Sequence, residues 1–358
     1  MFRPYTPTEE CAVRLKISWE GGAAIGLLIA LCLFPFVMSA LTGQAVDEGM
    51  PKFWQGMLIQ VFILAVYAMS YDILMGYTGV LSFGHAMFFG GGAYVLGILL
   101  KHAGWGLGPT LLLVILVAIA QSLIIGVLSL RVSGVYLAMV TLAFAQMFFI
   151  LAEATDFRQW TGAEDGLQSI PVPPWMSPTN ERLLLYFVTL GFAVLMYFIA
   201  RRVVNSPTGK VMVAIRENES RAQVIGYNTF VFKLTAICIS GVMAALAGAM
   251  NAIWNLNANP AMLSVNTTIN ALLMTIIGGV GTLIGPMLGA GVIQLLGYWL
   301  NDLFGPRWPL IFGVVYILIV LFLPYGIVGT WRQRKAGWLN LWRRRADEMR
   351  RLRSKPAE

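Results

Sequence analysis

Charged residues are scarce in this sequence. They make up 12% of its 358 residues, whereas a soluble globular domain carries about 25%. Hydrophobic residues make up 58%, so too little polar side-chain surface exists to cover a soluble particle. Apolar runs of the length that a helix needs to cross a bilayer recur along the chain. A soluble domain is therefore excluded, and we expect an all-α, polytopic membrane protein.

Motifs of common enzymes are also absent. The sequence contains no His-Glu-x-x-His, Gly-x-Ser-x-Gly or Gly-x4-Gly-Lys-[Ser/Thr] pattern, and its two histidines are His85 and His102. The three cysteines, Cys11, Cys32 and Cys238, lie far apart and in no metal-binding spacing. We predict no catalytic residue, no metal site and no cofactor. Any ATP hydrolysis is expected to reside in another subunit.

The apolar runs contain almost no charge. An ion-coupled carrier usually places carboxylates or charge pairs near the middle of the membrane. Asp72 is an exception here, and it lies close to a predicted cytoplasmic end. An ion-coupled secondary transporter is therefore the less favoured alternative, because a transporter with this sequence would need a partner as its energy source.

Hydropathy predicts about ten transmembrane helices. The predicted spans are 22–41, 56–75, 80–100, 110–130, 134–152, 183–200, 233–254, 268–283, 286–302 and 309–329. The segments 76–93 and 278–291 are so rich in glycine that we expect broken or re-entrant helices there. Interruptions of this kind, one in each half, surround the substrate path of many transporters, although close helix packing explains the glycines equally well.

Basic residues predict the orientation of the helices. Arg3, Arg14 and Lys16 favour a cytoplasmic N-terminus. Ten crossings then place the acidic loop 153–182 in the periplasm and the basic loop 201–232 in the cytoplasm. The predicted organisation consists of a cytoplasmic N-terminal segment at 1–21, a transmembrane domain at 22–330 and a cytoplasmic tail at 331–358.

The C-terminal tail is strongly basic. Residues 331–358 contain ten arginines and lysines against three acidic residues, together with three tryptophans. Directly behind a membrane helix, such a cluster more often binds anionic lipid headgroups than nucleic acid, and tryptophan is typical of the membrane interface. We therefore expect the lipid bilayer, and no nucleic acid, as the partner of the tail.

The basic loop 201–232 is predicted to contain two short helices. Ser206 is a suitable N-cap, Pro207 fits the first helical position, and apolar residues ending at Ile215 share one face. Gly226 is suited to the end of the second helix. The periodicity alone fits a helix that docks on a partner as well as one that packs on its own membrane domain.

Five segments of the chain together resemble the branched-chain amino acid ABC-transporter permeases of the LivM type. The segments are SYDILMGYTGVLSFGHAMFFGGGAY at 70–94, GVYLAMVTLAFAQ at 134–146, TGAEDGL at 161–167, NSPTGKVMVAIRENESRAQVIGYN at 205–228 and LLMTIIGGVGTLIGPMLGA at 272–290. They follow one another in the order of that family. Glycine-rich or leucine-rich strings recur by chance singly, but five in order indicate a relationship.

The resemblance implies the permease subunit of an ATP-driven importer in the bacterial inner membrane. The implied partners are a second homologous permease subunit, two ABC ATPase subunits and a periplasmic substrate-binding protein. The family loop that matches 206–228 docks on the ATPase, and the implied coupling residues are Gly209, Arg216, Glu217, Asn218, Glu219, Arg221 and Gly226. Branched-chain amino acids are the expected substrates, while urea, short amides and other amino acids stay open.

Uncharged polar residues within the spans are candidates for the substrate path, because a zwitterion needs hydrogen-bonding groups without strong fixed charge. The candidates are Ser82, His85, Thr141, Gln146, Asn270 and Thr275. Hydrogen bonds between helices would use the same residue types, and we favour such a structural role for His85. Thr141 and Gln146 do not share a helical face, so at most one of them needs to line the path. Ser82 and His85 would also serve an intramembrane hydrolase, but no oxyanion or metal partner is evident for them.

Overall fold

The computed structural model describes residues 19–322 and 326–330. The α-helices within these ranges are α1 (Trp19–Thr42), α2 (Gly49–Asp72), α3 (Ala86–Lys101), α4 (Leu107–Ser129), α5 (Val135–Glu153), α6 (Arg158–Thr161), α7 (Arg182–Asn205), α8 (Pro207–Glu217), α9 (Glu219–Val224), α10 (Thr229–Asn255), α11 (Val265–Gly278), α12 (Ile284–Phe304) and α13 (Trp308–Phe322). Two short strands, β1 (Leu167–Gln168) and β2 (Asn257–Ala258), pair antiparallel. The all-α prediction is confirmed. The predicted basic tail and most of the N-terminal segment lie outside the described residues.

A helix of the described chain coincides with each of the ten predicted spans. Within the described residues, six helical stretches are long and apolar enough to cross a bilayer, namely Gly49–Tyr77, Leu107–Ser129, Val135–Glu153, Arg182–Asn205, Thr229–Asn255 and Ile284–Ile319. Three further apolar helices are shorter, at Gly26–Thr42, Ala86–Lys101 and Val265–Gly278. The chain is thus a polytopic helical membrane protein, while the count of ten crossings stays a prediction.

Both glycine-rich segments interrupt a helix. α2 ends in a π-helical turn, Ile73–Tyr77, and the chain does not become helical again until α3 begins. Residues 279–283 separate α11 from α12 in the same way. Gly79 and Gly281 have φ angles of 75° and 76°, a backbone conformation that favours glycine. The prediction of broken helices is therefore confirmed at both places.

Close packing of α3 against α10 explains Gly92 of the first segment. A Cβ atom at Gly248 of α10 would lie 1.7 Å from the carbonyl oxygen of Phe89. A Cβ atom at Gly92 of α3 would lie 2.0 Å from the carbonyl oxygen of Ala245. Glycine and alanine thus allow the two backbones to touch, as small residues do between transmembrane helices. The glycines of this region therefore serve two purposes, interruption before α3 and close packing within it.

Loops distant in sequence meet at one end of α10. β1 pairs with β2 directly after α10, with Leu167 opposite Ala258, and Lys101 Nζ donates a hydrogen bond to Gln168 O at 2.7 Å. The loops around α8 and α9 precede α10, whose 27 residues separate them from β2. At a rise of about 1.5 Å per residue, α10 holds these two groups of loops about 40 Å apart.

The chain forms two compact units, one that ends at Gln55 and one that begins at Gly56. In the described part of the first unit, Gln55 Nε2 donates to Val46 O at 2.8 Å, and Met50 N donates to Gln44 Oε1 at 2.9 Å. These bonds shape the turn between α1 and α2. The second unit contains both interruptions, the α3–α10 contact and the loops described below.

Substituting Gly248 by alanine will destabilise the protein. The added methyl group would collide with the backbone of α3, and relieving such overpacking costs about 1–3 kcal/mol. We expect the thermal unfolding midpoint in detergent, followed by tryptophan fluorescence, to fall by several degrees. Gly191→Ala in α7 is the control, because a Cβ atom there meets nothing within 4 Å. Equal midpoints for the two variants would contradict the packing described for α3 and α10.

Candidate functional site

The 206–228 loop is built from capped short helices. Ser206 Oγ accepts a hydrogen bond from Gly209 N at 3.2 Å, so Ser206 is the N-cap that the sequence predicts for α8. Asn218 Oδ1 accepts from Arg221 N at 2.9 Å and caps α9. The side chain of Asn228 caps α10 in the same manner. The two predicted helices are thus present, and the loop is a defined corner between α7 and α10.

α8 packs closely under the end of α7. A Cβ atom at Gly209 would lie 2.3 Å from the carbonyl oxygen of Val204 and 2.5 Å from that of Val203. Met212 and Ile215 are buried on the inner face of α8, whereas Glu217 at its end is exposed. α8 therefore binds its own membrane domain with one face and leaves the other face free.

The end of α9 exposes apolar side chains. Val224, the last residue of α9, is 88% exposed and Ile225 behind it is 68% exposed, although Ala222 in the same helix is buried. Gly226, with a φ angle of 99°, ends the helix directly behind them, and Arg221 is exposed one turn earlier. We call Arg221, Val224 and Ile225 the loop tip. Sequence reasoning missed the two apolar residues of the tip, because an apolar pair in a short helix is more often buried.

An ion pair joins α9 to α10. Lys233 Nζ donates to Glu219 Oε1 across the corner between the two helices, and both side chains are partly exposed. A cleft of about 280 Å³ lies beside this pair and is lined by Arg131, Ser133 and Gln223 among others. Among the polar residues predicted in the loop, Asn218 therefore caps α9 and Glu219 joins α9 to α10.

Arg216 connects α8 to the interruption after α2. Its Nη1 atom donates a hydrogen bond to Gly76 O. The backbone of Gly79 lies against the same arginine, because a Cβ atom there would be only 3.1 Å from Arg216 Cγ. Of the seven predicted coupling residues, Arg216 is therefore the one that the structure brings to a broken helix.

Asp72 connects the end of α2 to the second interruption, between α11 and α12. Its Oδ1 atom accepts from Gly281 N at 2.6 Å and its Oδ2 atom accepts from Leu283 N at 3.2 Å. These amides directly precede α12, and a carboxylate is stabilised at the N-terminus of a helix. Arg216 lies beside the same backbone, since a Cβ atom at Gly281 would be 2.9 Å from Arg216 Nη1. The sequence alone shows Asp72 as an isolated charge, and its position directly before the glycine-rich segment is the signal that points to this role.

Gly76 makes this meeting of backbones sterically feasible. A Cβ atom at Gly76 would lie 1.9 Å from Asp72 Oδ1 and 2.7 Å from Gly281 N. We call Asp72, Gly76, Gly79, Arg216 and Gly281 the junction site. It joins the end of α2, the end of α8 and the α11–α12 break.

Ser82 and Thr141 lie together where the chain approaches α3. Phe83 N donates to Thr141 Oγ1 at 3.2 Å, and Gly84 N donates to Ser82 Oγ at 3.2 Å. Both Ser82 and Thr141 are buried. In the described conformation, their side chains satisfy the backbone of the non-helical segment between α2 and α3.

His85 is enclosed by aromatic rings. Its Nε2 atom lies 2.8 Å from Ser70 Oγ, with which it shares a hydrogen bond. Tyr67 stacks on the imidazole with ring centroids 5.4 Å apart, and Tyr71 and Phe88 meet the imidazole edge-on. His85 therefore pairs with Ser70 and not with Ser82, the pairing that an intramembrane hydrolase would need.

The remaining predicted path residues have different surroundings. Thr275 is buried and donates to Ala271 O at 2.8 Å and to Ala68 O at 3.2 Å, which binds α11 to α2. Gln146 on α5 and Asn270 on α11 are exposed on the surface of the chain. The six residues thus do not converge on one cavity. Gln146 and Asn270 are exposed and therefore available for contact with another subunit.

Comparison with known proteins points to one family. The protein-family model described as branched-chain amino acid transport system, permease component, matches residues 54–323. The high-affinity branched-chain amino acid transport system permease proteins LivM of Salmonella typhimurium and Escherichia coli are each 26% identical over 328 residues, which cover 85% of this chain and 74% of the relative. The probable branched-chain amino acid transport permease protein LivM of Methanocaldococcus jannaschii is 24% identical over 331 residues, which cover 84% and 92%. No solved structure matches the chain.

Substituting Gly209 by alanine will loosen α8 from the end of α7. The new methyl group would meet two backbone carbonyl oxygens, so α8 has to move away from the membrane domain. We expect trypsin to cleave the purified protein several-fold faster at Arg216 and Arg221. Gly108→Ala is the control, since its Cβ atom meets nothing within 4 Å. Unchanged cleavage in the Gly209 variant would show that this contact does not hold α8.

Proposed function

Because the chain belongs to the family of branched-chain amino acid transport permease components, we propose that it is the membrane-spanning subunit of an ATP-driven importer for branched-chain amino acids. The observation that carries the proposal is the family match over residues 54–323. Two relatives named as high-affinity branched-chain amino acid permease proteins cover 85% of the chain and support the substrate class. ATP hydrolysis belongs to separate subunits in this proposal.

The proposed orientation places the 206–228 loop in the cytoplasm and the 153–182 loop in the periplasm of a bacterial inner membrane. Contacts between loops support this orientation. The junction site brings together segments that the charge distribution assigns to the cytoplasm, and the β1–β2 pair brings together segments that it assigns to the periplasm. Both termini are cytoplasmic in this arrangement.

An ABC ATPase subunit is the proposed partner of the loop tip. Val224 and Ile225 would be exposed to water in the cytoplasm, and exposed apolar side chains rimmed by polar ones are typical of protein interfaces. Arg221 and Glu217 supply the polar rim beside them. The full assembly contains two ATPase subunits, a second homologous permease subunit and a periplasmic substrate-binding protein.

The substrate path is proposed to lie between this chain and the second permease subunit. Gln146 and Asn270 are the predicted path residues that are exposed and therefore available to such a path. Ser82, His85, Thr141 and Thr275 are engaged within the chain, so they would reach substrate only after the broken helices move. Binding protein and nucleotide would favour opposite conformations through differential contacts, as alternating access requires.

Uptake of radiolabelled leucine by proteoliposomes that contain the full assembly tests the proposal. We expect uptake to require ATP and to fall about tenfold or more in the double variant Val224→Ser/Ile225→Ser, because the buried centre of an interface carries most of its binding energy. Leu184→Ser, which removes an exposed apolar side chain at the other end of α7, is the control and should retain uptake.

The other outcomes separate the parts of the proposal. Uptake driven by an ion gradient without ATP would identify a secondary transporter and refute the ATP-driven importer. ATP-driven uptake of urea or a short amide in place of leucine would replace the substrate. Undiminished uptake in the Val224/Ile225 variant, with wild-type uptake intact, would refute docking at the loop tip.

A further inference from the structure

Three segments that are far apart in sequence meet at the junction site. Arg216 and Gly76 are 140 positions apart, and Asp72 and Gly281 are 209 positions apart. Two of the segments are the ends of α2 and α8, and the third is the break between α11 and α12. The loop that faces the proposed ATPase therefore contacts both interruptions through Arg216, which donates to Gly76 O and lies beside Gly281, and Asp72 binds the two interruptions to each other.

The carboxylate of Asp72 is fixed in position by buried hydrogen bonds. It is fully buried and accepts two backbone N–H donors, and such charge-assisted bonds are stronger than neutral ones. Leu283, one of the donors, has a φ angle of 53°, which is uncommon for a residue other than glycine. A strained backbone persists only where its surroundings fix it, and here the carboxylate of another helix does so.

α8 is anchored at its start, so its end at Arg216 is the part that can be displaced. Gly209, near the start of α8, is locked against the end of α7 by backbone contacts on two carbonyl groups. Arg216 lies two turns later, at the other end of this 11-residue helix. The Glu219–Lys233 pair that follows joins α9 to α10 and does not involve α8. A push on the loop tip would therefore tilt α8 about its start and displace its end at Arg216.

We propose that Arg216 and Asp72 transmit this displacement to both interrupted helices at once. Arg216 moves the end of α2 through Gly76, and Asp72 on α2 carries the start of α12 with it. Asp72 is a positioning residue, because it acts on the path through backbone groups and not on the substrate. The source of the motion rests on the proposed function, whereas the mechanical link between the two interruptions does not.

A double-mutant cycle in the reconstituted assembly tests the transmission. The variants are Asp72→Asn, Arg216→Gln and the two combined, with Asp302→Asn as an exposed control of the same chemistry. We expect the leucine transported per ATP hydrolysed to fall about tenfold in each single variant, the effect of losing one charge-assisted hydrogen bond. The combined variant should fall no further, because both changes break one link. Arg216→Lys keeps the charge and should restore part of the ratio.

Hydrogen–deuterium exchange separates this inference from the proposed function, because it needs no transport. In the permease in nanodiscs, we expect Arg216→Gln to accelerate exchange both in residues 73–79 and in residues 279–283, and Asp302→Asn to accelerate neither. Acceleration confined to 73–79 would overturn the link, whether or not leucine is transported. Additive losses in the double-mutant cycle, or a full transport ratio in Asp72→Asn, would overturn it equally. Absence of ATP-driven uptake in the wild type would refute only the proposed function.

Discussion

Unpaired backbone groups inside a membrane protein are the constraint on which this structure depends. Hydrocarbon offers them no hydrogen bonds, so a broken helix is tolerated only where the protein itself replaces the lost partners. The chain does so with side chains from distant helices. Asp72 of α2 accepts from the amides before α12, and Thr141 of α5 accepts from Phe83 before α3. Thr268 of α11 accepts from Ala86 N at 2.9 Å at the start of α3. The interruptions are therefore also the places where the helices are bound to one another.

Glycine serves this architecture in two opposite ways. Within α3 and α10 it brings straight helices so close that their backbones touch, which rigidifies the pair. Around Gly79 and Gly281 it permits backbone conformations that end a helix. The closely packed α3–α10 pair is thus accompanied by two non-helical segments, around Gly79 and around Gly281. The α3–α10 pair resists deformation, because its two backbones would collide.

Much of the fold was predictable from the sequence because hydrophobic runs and glycine clusters are local signals. The spans, both interruptions, the two short helices and the Ser206 cap all follow from neighbouring residues. The junction site does not, since Asp72 and Gly281 are brought together only by the packing of the whole domain. The exposure of Val224 and Ile225 was missed for a related reason, as short apolar pairs are buried or exposed according to what lies beside them. Resemblance to a family supplied the function, which hydropathy alone would have left at an unspecified transporter.

The dependence of α12 on a carboxylate 209 residues earlier also bears on how the chain is made. At a synthesis rate of about 5–20 residues per second, α2 emerges from the ribosome roughly 10–40 s before the amides that will bind Asp72 exist. During that interval the charge has to remain near water, and its position at the end of α2 allows this without withdrawing the helix from the bilayer. A charge in the middle of α2 would have no such access to water. The place of Asp72 in the sequence thus satisfies the order of biosynthesis as well as the finished structure.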